Sequence, residues 1–202
     1  MDMKLTPQEE LTIKAYDDKA SDWASKHSDA HFWGKEMDKF RQLLPKGKIL
    51  EIGSGGGRDA KELIELGYEY TGIDASEGLL TVAKKLNPKG KFLLKSLYEL
   101  DFFDNEFDGF WSSATLLHIP KERIKEVLQN IHKVIRKDGI GFISLKQGIG
   151  EKMEPDNRLF AYYEKEEFKK ILLQNGFEVL DISLNPMSEK TIWLVYLVKA
   201  IK

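Results

Sequence analysis

The chain has 202 residues, 42% of them hydrophobic, enough to close a substantial core in one domain. Its 31 basic and 33 acidic side chains leave a net charge of −2, so no global positive field draws in nucleic acid. The absence of cysteine excludes disulfides, thiolate metal sites and cysteine nucleophiles, and no histidine pair has metal-ligand spacing, so no metal is expected.

The first residues, MDMKLTPQEELTIKAYDD, are polar and acidic and lack the apolar segment of a signal peptide. The longest apolar run, Ile192 to Val198, is too short to cross a bilayer as a helix. A cytoplasmic protein with no membrane association is expected. Thr6-Pro7-Gln8-Glu9 fits a helix start, with a hydroxyl cap, proline in the first turn and an acid three residues on. The helical pattern runs to about Lys26 and carries Tyr16, Ala20 and Trp23, which fit packing onto the body of the protein. Phe32 to Leu44 reads as a second helix, closed by Leu44-Pro45-Lys46-Gly47.

Lys48 to Leu63, KILEIGSGGGRDAKEL, reads as a buried strand, a glycine turn and a helix start. Gly53, Gly55, Gly56 and Gly57 let the backbone turn sharply and a ligand approach free amides. Glycine turns of this kind also bind dinucleotides, but Arg58 occupies the position where that fingerprint needs glycine or alanine. A second strand, Tyr68 to Ile73, ends at Asp74, placed to accept hydrogen bonds from ribose hydroxyls. With Glu51 just before the turn, these acids point to a nucleoside site.

Ser76 can cap a helix through Leu86, and Asn87-Pro88-Lys89-Gly90 closes it. Lys91 to Lys95 is a third strand, followed by a turn-rich loop and a fourth strand, Phe107 to Trp111, that runs into Ser112-Ser113-Ala114. Pro120 opens a long amphipathic helix over Lys121 to Arg136, stopped by Asp138-Gly139, and Ile140 to Leu145 is strand five. The final third reads as a helix, Lys165 to Asn175, then strands Phe177 to Leu184 and Thr191 to Val198 joined by an Asn185-Pro186 turn. So short a connection forces an antiparallel pair. Strands alternating with helices predict a Rossmann-like α/β fold: a doubly wound, seven-stranded, mostly parallel sheet with a C-terminal antiparallel hairpin.

The segments E-x-G-x-G-x-G after a strand, G-I-D-A-S, and E-F-D-G-F-W-S-S-A-T-L-L-H-I-P stand in order between Leu43 and Leu145. Together they resemble the class I S-adenosylmethionine-dependent methyltransferases. The glycine turn with its G-R-D segment is also similar to the smaller tellurite-resistance-like and thiopurine-like members.

The resemblance implies S-adenosylmethionine as cofactor and S-adenosylhomocysteine as product. Glu51, Gly53, Ser54, Gly55 and Arg58 would surround the methionine end, Asp74 and Ala75 the ribose, and Ser96 and Leu97 the adenine. Ser112 and Ser113 would leave room beside the methionine part. Y-D-x-x-A-x-x-W, with Tyr16 and Trp23, is similar to the family's segment that covers the cofactor, so residues 1–44 would form a helical cap over a sheet core of 45–202.

An in-line displacement at an activated methyl mainly needs positioning and exclusion of water. His118 lies near the expected mouth and is the candidate base, or else a structural residue of its loop. Lys146 and Arg158 could hold an anion, with Tyr162 or Tyr163 as a wall, although Arg158 could equally pair with Glu151, Glu154 or Asp156. The acceptor is expected to be a small, anionic molecule, and the protein a monomer or homodimer. A nicotinamide-dependent oxidoreductase and a non-catalytic S-adenosylmethionine-binding protein are the alternatives; Arg58 and the C-terminal hairpin argue against the first.

Overall fold

The computed structural model describes residues 5–29, 31–188 and 191–202. Seven strands form one sheet: β1 (Lys48–Ile52), β2 (Glu69–Asp74), β3 (Lys91–Leu94), β4 (Phe107–Ser113), β5 (Ile135–Lys146), β8 (Phe177–Ser188) and β9 (Thr191–Ala200). Their spatial order is β3-β2-β1-β4-β5-β9-β8, parallel from β3 to β5, with β9 antiparallel to both neighbours. The order reverses between β1 and β4, and in such sheets ligands bind beyond the carboxyl ends of the strands at that reversal.

Both faces of the sheet are covered because alternate residues point to opposite sides. Leu50, Ile52, Phe110, Ile143 and Leu145 pack with helices α6 (Ile124–Val134) and α7 (Lys165–Gln174). Ile49, Trp111 and Phe142 face the other way, toward α3 (Gly34–Leu43) and α4 (Arg58–Glu65). Trp111 is fully buried and stacks on Phe142 with ring centroids 3.6 Å apart. The remaining large helix, α5 (Glu77–Leu86), is capped as expected, the Ser76 hydroxyl accepting from the Leu79 amide.

Four boundaries differ from the sequence expectation. The single N-terminal helix is two, α1 (Pro7–Asp17) and α2 (Ala20–Lys26), because Asp17 is drawn to the α5 N-terminus. There it accepts from the Ser76 hydroxyl at 2.6 Å and the Gly78 amide at 2.9 Å, where a carboxylate is favoured. Helix α6 stops at Val134, two residues early, because Ile135 already pairs with Phe107 in the sheet; a short 3-10 turn, Lys121–Arg123, precedes it.

Asn185 and Pro186 are no turn: they lie in β8 opposite Trp193 and Ile192, an edge strand being where a proline is admitted. The connection falls at 189–190, outside the described residues. Finally, the stretch between β5 and the Lys165 helix, where no strand was expected, folds into a small antiparallel pair, β6 (Glu151–Met153) and β7 (Leu159–Ala161). Backbone ties from this hairpin reach α1, where the Leu159 amide donates to Thr12 Oγ1 at 2.9 Å.

Candidate active site

A cavity of about 900 Å³ opens at the reversal point between β1 and β4, roofed by α1 and α2. Its size fits a cofactor together with a small second substrate. The floor is the glycine turn. Gly53 and Gly55 have φ of +70° and +53°, and a side chain on Gly53 would run into Thr115. At Gly55 a Cβ would meet nothing within 4 Å, so this turn offers bare backbone to the open space.

Beside the turn, Asp74 accepts from the Gly55 amide and the Ser76 amide, each at 2.8 Å. Burial raises its pKa, while the backbone amides of Ser76, Gly55 and Ala75 oppose the rise. Glu51 is buried on the other side of the turn and accepts a short hydrogen bond from the Tyr70 hydroxyl. Burial, and next the neighbouring Asp59, hold its carboxyl well above the usual carboxylate range.

Arg58 is committed rather than free. It forks onto Asp59, with Nε to Oδ1 at 2.5 Å and Nη2 to Oδ2 at 3.0 Å, and reaches Ser113 Oγ at 3.0 Å. Asp59 also accepts from the buried Trp111 indole at 2.9 Å, and Trp33 donates to the same Ser113 hydroxyl at 2.7 Å. This network ties α4, β4 and the segment before α3 together at the methionine end of the cavity.

At the opposite end, Ser96 and Leu97 line the cavity. The Ser96 hydroxyl accepts from the Tyr98 amide at 3.2 Å, and the Leu97 carbonyl accepts from Asn130 at 3.1 Å.

The roof is aromatic. Tyr16 meets Trp23 edge to face at 5.1 Å, and Trp23 stacks on His27 at 3.8 Å. The Tyr16 hydroxyl lies 2.8 Å from His118 Nε2, while His118 Nδ1 lies 2.6 Å from the Leu159 carbonyl. A carbonyl can only accept, so Nδ1 carries the proton and Nε2 receives the Tyr16 hydroxyl. Burial lowers the His118 pKa to about 4, and raises that of Tyr16 to about 12 against the pull of Arg158.

Arg158 is paired with Asp156 through Nε at 2.9 Å and Nη2 at 2.7 Å, donates to Tyr16 at 3.0 Å and lies over the Trp23 ring at 4.6 Å. Of the two readings of Arg158, pairing with a local acid is the one found. Lys146, at the end of β5, has no carboxylate within 4 Å among the described residues; its ammonium lies over Phe160 at 4.1 Å and Trp193 at 5.9 Å. A smaller concavity of about 320 Å³ shares Lys146, Arg158 and Phe160 with the main one.

The cavity thus gathers Tyr16, Trp23, Glu51, Gly53, Ser54, Gly55, Arg58, Asp74, Ala75, Ser96, Leu97, Ser113, His118, Lys146 and Arg158. Three expected residues lie elsewhere. Ser112 is fully buried within β4, its side chain on the face opposite Ser113. Tyr162 bonds Glu154 at 3.0 Å outside the lining, and Tyr163 is buried against Phe168 rather than forming a wall. Phe160, two residues before Tyr162, is the ring that enters the cavity, while the Tyr162 ring lies 6.2 Å from it with its hydroxyl on Glu154.

Sequence reasoning missed Trp33, Thr115, Phe160, Met187 and Trp193 in the lining. Of these, Thr115 stands inside the quoted E-F-D-G-F-W-S-S-A-T-L-L-H-I-P segment, a signal that could have been used.

Residues 50–143 match the family model described as a methyltransferase domain. This stretch is a methyltransferase domain of the class I S-adenosylmethionine-dependent kind. Among curated proteins the chain is 29% identical over 119 residues to the putative methyltransferase YqeM of Bacillus subtilis, covering 56% of this chain and 47% of that one. It is 22% identical over 170 residues to the probable S-adenosyl-L-methionine-dependent methyltransferase TehB of Haemophilus influenzae, covering 79% of this chain and 59% of that one. The chain therefore spans less than two thirds of the length of these relatives.

Among solved structures, the chain superposes on 1,6-didemethyltoxoflavin-N1-methyltransferase of Burkholderia thailandensis with a TM-score of 0.81. That match has 20% identity and covers 100% of this chain and 94% of that one, a likeness of fold. The reversed β9 completes the methyltransferase sheet, as the C-terminal hairpin led one to expect.

Proposed function

We propose that the protein transfers a methyl group from S-adenosylmethionine to a small molecule bearing a negative charge. The observation that carries this reading is the meeting of the bare Gly53–Gly55 turn, Asp74 and the Tyr16–Trp23 roof around one cavity at the strand reversal. The residues fit the cofactor: an open glycine cradle for the methionine part, an acid at the end of β2 for the ribose, and Ser96 with Leu97 bordering the adenine. Residues 1–44 act as the cap and 45–202 as the core of one domain. When bound, the cofactor supplies a methyl group on a positively charged sulfur, already activated for displacement.

The chain's own groups orient and exclude water. The Tyr16 and Trp23 rings offer π faces and edges beside a sulfonium. His118 positions Tyr16 rather than removing a proton, since its Nε2 lone pair is engaged and burial keeps it a poor base. An acceptor atom ionised near neutral pH, or a neutral amine, then needs no protein base. Both the 1,6-didemethyltoxoflavin enzyme, solved with its acceptor and S-adenosylhomocysteine, and the family names support this reading. Incubation with methyl-tritiated S-adenosylmethionine and a cell extract split by size should place label in the small-molecule fraction. Label found only in protein or nucleic acid would refute a small acceptor.

A further inference from the structure

The acceptor end of the cavity is defined by what its charges are already doing. Arg58 is held by Asp59, Arg158 by Asp156 and Lys95 by Asp101. Lys26 and Lys61 also line the cavity but are exposed to water. Lys146 is different: half-buried, with two ring faces and the Arg158 cation as neighbours and, among the described residues, no carboxylate within 4 Å, Glu154 and Asp156 acting on it only from beyond that range. A cation withdrawn from water without a direct ion pair costs free energy that a bound anion returns.

The position is right for an acceptor. Lys146 ends β5 and pairs in register with Trp193 on β9. Two strand spacings separate β5 from β1, about 10 Å, so the ammonium stands to the side of the glycine turn rather than over it. Around it the lining is aromatic: Phe160, Trp193, and Trp33 edge-on to Trp193 at 5.8 Å. Rings at such spacing favour a flat π-system over an aliphatic one of equal area.

We propose that the acceptor is a planar aromatic anion, its negative group on Lys146 and its ring against Phe160 and Trp193. The inference rests on the methyltransferase reading and narrows its substrate class. The test uses three probes of one size, 1-naphthoate, 1-naphthamide and decalin-1-carboxylate, titrated into the protein saturated with S-adenosylhomocysteine. Naphthoate should bind about tenfold tighter than the neutral amide, the size of one charge-assisted hydrogen bond, and tighter than the saturated acid.

Lys146→Met should abolish the preference over the amide while leaving amide affinity within about twofold; Trp193→Leu should reduce the preference over the saturated acid. S-adenosylhomocysteine affinity should stay unchanged in both variants, which shows that they fold. Equal binding of naphthoate and naphthamide, or no binding of any probe to a protein that does bind S-adenosylhomocysteine, would overturn the proposal. Failure to bind S-adenosylhomocysteine at all would instead bring down the reading on which it stands.

Discussion

His118 shows how a residue with a catalytic reputation can be set to another task by its hydrogen bonds. Its neutral tautomer is fixed by the Leu159 carbonyl, and burial keeps it neutral down to about pH 4. Its folded pKa lies below the ordinary 6.5, so the unfolded chain binds more protons between those values. The stability it contributes is full above about pH 6.5 and is lost as pH falls toward 4. His118→Asn, which can still donate to the Leu159 carbonyl, should therefore flatten the fall in unfolding free energy over that interval, measured by urea titration at several pH values. An unaltered pH slope would show that the wild-type imidazole is not held neutral.

Much of this site was legible in sequence because glycines, Asp74 and Glu51 act through backbone geometry and position. Lys146 was legible as the end of strand five, whereas Phe160 was not, since its segment shows no strand pattern from which a facing could be read. Tyr162 was expected in the cavity and Phe160, two residues earlier, is found, because Tyr162 lies past the end of β7 with its hydroxyl held by Glu154.

At the scale of elements, the account depends on how α1 is fastened over the cavity. Thr6 and Glu9 form a capping box, and the Glu9 carboxylate is then used twice more. It accepts from Arg123 at 3.0 Å and from the Tyr98 hydroxyl, while the Arg123 guanidinium lies 3.5 Å from the centre of the Tyr98 ring. Glu9 and Arg123 are 5% and 14% exposed, so removing one partner strands a buried charge. Arg123→Met should cost about 3 kcal/mol in unfolding free energy and weaken S-adenosylhomocysteine binding, because α1 carries Tyr16. Loss of stability with unchanged affinity would detach the roof from the site.

A second element-level test concerns β5, where a side chain on Gly141 would run into the Phe110 ring. Gly141→Ala should lower stability by about 1–3 kcal/mol, read from the denaturation midpoint, with ligand affinity retained.

The capping signals were readable locally: Thr6, Ser76 and the Pro-Gly stops mark ends by their own chemistry. The break between α1 and α2 was not, since it answers to Asp17 reaching an N-terminus about sixty residues away in sequence. The β6–β7 pair lacked a strand-like alternation and exists because Leu159 bonds α1 and the His118 loop.

For the whole molecule, the sheet order is the decisive feature, because it brings the ends of β1, β2, β4 and β5 to one cavity and leaves β9 to close its far side. Alternating strands and helices made that order foreseeable, together with the reversed strand. Because the cavity is lined from Tyr16 on α1 to Trp193 on β9, ligand binding should stabilise the fold as a unit. S-adenosylhomocysteine at a hundred times its Kd should add about 2.7 kcal/mol, seen as a rise in Tm of several degrees.

The most direct test of the account is calorimetric titration of the protein with S-adenosylmethionine, S-adenosylhomocysteine and NAD, repeated with Asp74→Ala. The account predicts binding of both adenosyl ligands, none of NAD, and a loss of about tenfold or more in the variant as the ribose bonds disappear. Tight NAD binding without either adenosyl ligand, or an Asp74→Ala protein that binds them as well as the wild type, would contradict it.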